Sequence, residues 1–114
     1  MTRTWVDAIA ECEAEHGVPA TARMAQLFAD SSKTQLQAID AAIAENRLAT
    51  ARASAHDLAA SAEALRFTQL TQIAQNFESA CAANDRDAAL RLHKDLAPLI
   101  NICVLQLRAR YKVT

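Results

Sequence analysis

Apolar residues recur at three- and four-residue steps through most of the chain, the spacing of one buried face on an α-helix. The clearest stripe is Leu48, Ala51, Ala55, Leu58, Ala62 and Leu65. Before it, Trp5, Ile9 and Cys12 mark a short helix from about Thr4 to His16, closed by a left-handed Gly17. Pro19 sits at the start of a second helix that runs to about Glu45, because a missing N–H costs nothing in the first turn. Met24, Leu27, Phe28, Ser31, Leu36, Ile39 and Ile43 give its buried side, and Asn46 its left-handed stop. The third helix ends near Leu65, after which a corner at Arg66-Phe67 leads to Thr68 as N-cap of a fourth. That helix buries Leu70, Ile73, Phe77 and Cys81. Asn84-Asp85 forms the next turn, with Asp85 as N-cap, and the last helix buries Leu92, Leu96, Leu99, Cys103 and Leu107. Pro98 removes one of its hydrogen bonds, which predicts a kink between Lys94 and Pro98.

Connections this short make neighbouring helices antiparallel. The expected fold is therefore all-α: an antiparallel up-down four-helix bundle with a short N-terminal capping helix, in a single domain over residues 1–114. Composition agrees, with 52% hydrophobic residues, much alanine and leucine, one glycine and two prolines. A net charge of −1 supplies no field to recruit nucleic acid or an anionic membrane. No apolar run approaches a membrane span, and the first residues lack a signal-peptide core. Cys12, Cys81 and Cys103 are odd in number and widely spaced, which suits reduced thiols in a cytoplasmic protein.

One polar residue stands out against this scaffold. At 100° per residue, His56 projects roughly 140° from the centre of the third helix's buried stripe. Ala49, Ala53 and Ala60 fall on its side, with Arg52, Ala59 and Glu63 flanking, so the imidazole stands on a low platform open to a partner surface. Asp57 is about 100° away around the helix and cannot orient the ring.

The stretch around His56 resembles the phosphorylation segment of histidine phosphotransfer (HPt) domains. His56, Leu58, Ser61, Ala62, Leu65 and Leu70 match that family's motif, while its lysine is Ala59 here, its first glycine Ala60 and its second Arg66. Phe28, Leu36 and Ile39 on the second helix and Phe77-Glu78 on the fourth extend the likeness along nearly the whole chain. The resemblance implies a four-helix bundle with an N-terminal capping helix. It also implies a phosphocarrier in a multistep two-component phosphorelay, with His56 accepting a phosphoryl group from a receiver-domain aspartate and passing it to another receiver. The implied partners are response-regulator receiver domains and a hybrid histidine kinase. The catalytic aspartate and Mg²⁺ would belong to the receiver, and the chain itself would need neither cofactor nor metal. With one glycine it has no Gly-rich loop for ATP, so the expectation is a carrier and not an autonomous kinase. A partner would dock over Arg52, Ala53, Ala59, Ala60 and Glu63. Equal heights across an antiparallel pair add Lys33 and Gln37 of the second helix, either of which could replace the missing lysine. The alternative is a degenerate module that binds a receiver or kinase without efficient transfer.

Other candidates carry less. Glu13-x-x-His16 has the spacing used in di-iron bundles, but occurs once and at a helix end. His93 falls at a boundary or surface position. The cysteines, Trp5, Phe28 and Phe77 have the spacing of packing residues.

Overall fold

A computed structural model describes residues 4–113. They form five helices: α1 (Trp5–His16), α2 (Val18–Ala44), α3 (Leu48–Ala64), α4 (Thr68–Ala82) and α5 (Arg86–Arg110). The long helices pack in a ring, α2 on α3, α3 on α4, α4 on α5 and α5 back on α2, with α1 laid against α2. This is the expected antiparallel bundle with its short N-terminal helix.

Local chemistry sets the helix boundaries. Thr4 caps α1 in a reciprocal capping box with Asp7. Gly17 breaks the chain at φ 87° and ψ 155°, a region essentially restricted to glycine. It is thus a positive-φ terminator, but with an extended ψ in place of the left-handed helical value. Pro19 follows in the first turn of α2. The three remaining connections share one construction. Asn46, Arg66 and Asn84 take φ of 58°, 60° and 57°. The next residue's N–H then bonds a carbonyl five positions back: Arg47 to Ala42 at 2.8 Å, Phe67 to Ala62 at 2.9 Å and Asp85 to Ala80 at 2.9 Å. Arginine lacks the local side-chain hydrogen bonding that lets asparagine tolerate this conformation, so Arg66 carries about 1–2 kcal/mol of backbone strain. The HPt motif has glycine at that position. Arg66 is held there by an ion pair with Glu15 and by its Nη1 donating to Cys12 Sγ at 3.4 Å. Asp85 caps α5 by accepting from the Ala88 N–H at 3.1 Å. Thr68 is not the cap of α4. Phe67 holds that position without a side-chain hydrogen bond, because the Arg66 turn starts the helix one residue earlier.

The core joins Phe28, Ile39, Leu58, Leu65, Phe77 and Leu96 from α2 to α5, and Ile9 from α1 seals one end. The whole predicted stripe of α3 is buried. Several expected core residues differ, Met24, Ser31, Leu36 and Leu92 being only partly buried. Leu27 is 67% exposed, since the buried arc of α2 runs through Ala25, Phe28 and Ser32 and leaves Leu27 beside it. Ile73 and Leu99 are only partly buried, because they line an open groove with Trp5 and Ile102. Helix α5 runs through Pro98 as one continuous element.

Polar clasps hold α1 in place. Arg110 forks onto Glu13, and Tyr111 donates to Glu13 Oε2 at 2.7 Å. The Arg110 and Tyr111 hydrogen bonds hold the Glu13 carboxyl below its usual range. All three cysteines are buried free thiols, and burial pushes Cys103 up to about 12. Among the described residues no helix is long and apolar enough to cross a membrane.

Candidate functional site

His56 lies in the middle of α3 with 69% of its side chain exposed. Leu58 on one side of the turn and Ala55 on the other are completely buried, and this fixes the rotation of the helix that turns His56 outward. Small residues form the α3–α4 seam: Ala55, Ala59 and Ala62 on one helix, Ala74 and Cys81 on the other. Side-chain size at the contact sets interaxial distance, so this seam lets the two helices approach closely.

That approach brings Glu78 of α4 to the imidazole. His56 Nδ1 and Glu78 Oε1 are 3.1 Å apart. A carboxylate only accepts, so Nδ1 is the donor in this pair. In the neutral ring the proton is then on Nδ1, and Nε2 carries the lone pair. Nε2 has no partner among the described residues. Glu78 is only 21% exposed, which orders the acceptor while the ring stays accessible.

The pair lies in a shallow open depression between α3 and α4, lined by His56, Ala59, Ala60, Glu63, Gln75, Glu78 and Ser79. Of the residues expected to surround His56, Ala60 and Glu63 line it and are exposed. Arg52 and Ala53 are exposed on the same helix, within the preceding turn. Ala59 is also in the lining but is 5% exposed, so it belongs to the seam with α4 and not to an open platform. Lys33 and Gln37 are exposed on α2 and are not among the lining residues, which come from α3 and α4 alone.

Glu78, Gln75 and Ser79 are the contributions that periodicity did not single out. A signal for Glu78 was present. His56 lies ten residues before Arg66, and Glu78 eleven after Phe67, so the two fall at similar heights about the α3–α4 corner. What the spacing of α3 alone leaves open is toward which neighbour the imidazole leans.

The other histidines are differently placed. His93 Nε2 is 2.6 Å from Asp40 Oδ1, with the ring near Phe77 and its side chain 25% exposed, a boundary position joining α5 to α2. Glu13 of the Glu13-x-x-His16 pair is occupied by Arg110 and Tyr111. Among the described residues no cluster of three His, Cys, Asp or Glu side chains could hold a metal ion.

His56 is thus an exposed histidine backed by a carboxylate, in a depression open to solvent. The Hpt domain matches residues 23–110, and the chain belongs to that family. Comparison with curated proteins and with solved structures gives no match. Hpt domains act as phosphocarriers in phosphorelays, engaging receiver domains of two-component systems.

Proposed function

We propose that this protein is a phosphocarrier of a multistep two-component phosphorelay and that His56 is its phosphorylated residue. The observation that carries the reading is the orientation of His56, with Nδ1–H on Glu78 and Nε2 free toward solvent. In the transfer step, the Nε2 lone pair attacks the phosphorus of a receiver's aspartyl phosphate. The N–P bond forms, the P–O bond to the aspartyl group breaks, and the aspartate leaves as a carboxylate. No proton has to move. The ring becomes a phosphoimidazolium, and its positive charge develops against the Glu78 carboxylate. Return of the group to a second receiver reverses these changes. The bundle supplies position, and the receiver supplies the aspartate and Mg²⁺. The other proposed partner is a hybrid histidine kinase feeding the first receiver, and three reduced thiols suit a cytoplasmic setting.

His56→Gln tests the assignment. The side chain is exposed, so the variant should fold as the parent does and lose all acid-labile, alkali-stable label when incubated with a phosphorylated receiver. Retained label would overturn it. A second reading, an interaction module without efficient transfer, draws on Ala59 and Ala60 standing where the family has lysine and glycine. Receiver binding by the parent protein without any labelling would select that reading.

A further inference from the structure

The family lysine beside the phosphorylated histidine is absent here, yet a phosphoryl group on His56 would bring close to two negative charges to a depression that already holds Glu63 and Glu78. Glu78 is engaged with the ring through Nδ1, whereas the Glu63 side chain has no ion pair among the described residues. The charge inventory of the two site-forming helices is short. Across α3 and α4, Arg52 is the only lysine or arginine. It is exposed and makes no ion pair among the described residues. Arg66, in the corner between these helices, is committed to Glu15 and Cys12.

Position favours Arg52 as well. It precedes His56 by four residues, so the two are neighbours on the helix surface. Both charged neighbours are exposed on the same helix, Arg52 one turn before His56 and Glu63 two turns after it. A guanidinium also offers a planar fork of donors matched to phosphoryl oxygens.

We infer that Arg52 binds the phosphoryl group on His56, taking from one turn upstream the role left open by Ala59. The inference rests on His56 as the modified residue, and the test separates the two. Phosphoramidate, a small donor that releases ammonia as its N–P bond breaks, labels the protein without a receiver. The ionisation of the bound phosphoryl group is then followed by ³¹P NMR between pH 6 and 9. In the parent protein the Arg52 charge favours the dianion. Arg52→Gln should raise the midpoint by about half a pH unit, as expected for an exposed charge pair, and Arg52→Lys should recover part of the difference. Equal midpoints in parent and Arg52→Gln proteins, both labelled on His56, would overturn the inference. Undiminished label in His56→Gln would instead remove the assignment beneath it. Thermal melts of the unlabelled variants should coincide with the parent, since Arg52 is exposed and makes no ion pair among the described residues.

Discussion

Replacing Glu78 probes the site without touching the nucleophile. Its carboxylate is 3.1 Å from Nδ1. In the proposed transfer the ring gains a full positive charge as the N–P bond forms, so this contact is stronger in the transition state than before it. A hydrogen bond to a charged group contributes about 1.5–3 kcal/mol when well desolvated. Here the ring is 69% exposed, and solvent screening reduces the differential to about 1–1.5 kcal/mol. At 1.36 kcal/mol per factor of ten, Glu78→Ala should slow labelling of His56 by roughly 5- to 13-fold. Glu78→Gln keeps an acceptor oxygen for Nδ1–H but not the charge, and should fall between the two. The assay is a single-turnover time course with a phosphorylated receiver at saturating concentration, with circular dichroism to verify the fold. A purely structural role for Glu78 predicts no recovery in the glutamine variant beyond its effect on stability. The charge argument adds a second readout: the equilibrium between phosphoreceiver and phosphorylated His56 shifts toward the receiver in Glu78→Ala. A stably folded Glu78→Ala protein with the parental rate and equilibrium would refute the reasoning.

Leu58→Ala tests the rotation of α3 that exposes His56. Leu58 is fully buried in the core, so the truncation should cost about 2–5 kcal/mol in denaturant melts, and a loss under about 0.5 kcal/mol would place Leu58 on the surface. Glu13→Gln tests the clasp on α1 through its pH dependence. Because the folded-state pKa of Glu13 is lowered, its contribution is present above the unfolded pKa and is lost as pH falls through the folded one. The variant should melt below the parent at neutral pH, and the gap should close on acidification through the range below the ordinary carboxylate value. A gap independent of pH would show that the charge on Glu13 is not what holds α1.

The bundle was legible because one residue property, side-chain hydrophobicity, recurs with one period. Every residue of the α3 stripe is buried as its spacing requires, and Asn46 and Asp85 act as the stop and cap that their side chains favour. The errors have local causes. Thr68 has the chemistry of an N-cap, but Arg66 takes the positive φ that ends α3 and moves the start of α4. A threonine preference of about 1 kcal/mol does not override a turn whose hydrogen bonds are fixed by the preceding helix. Leu27 is apolar and in phase with the α2 stripe, yet the arc that faces α3 and α5 is narrower than the stripe. At the site, helical spacing placed His56 outward but could not choose between α2 and α4 as its neighbour. That choice depends on how the bundle closes, a long-range property. It is why Lys33 and Gln37 were candidates and Glu78 was not.

The burial of Ala59 changes what the missing lysine means. A side chain at that position begins at 5% exposure, in a depression that Gln75 and Glu78 also line. A lysine there would meet Glu78 on its way and compete with His56 Nδ1–H for the same carboxylate. Alanine avoids that competition and leaves Glu78 committed to the imidazole. In the proposed transfer two tasks are thus separated. Glu78, from α4, holds Nδ1–H and meets the charge that develops on the ring. Under the inference above, Arg52, on α3 itself, meets the phosphoryl charge from the opposite end of the imidazole. Glu63 lines the depression, is exposed and has no ion pair among the described residues, so a receiver that presents a basic residue would find its complement there.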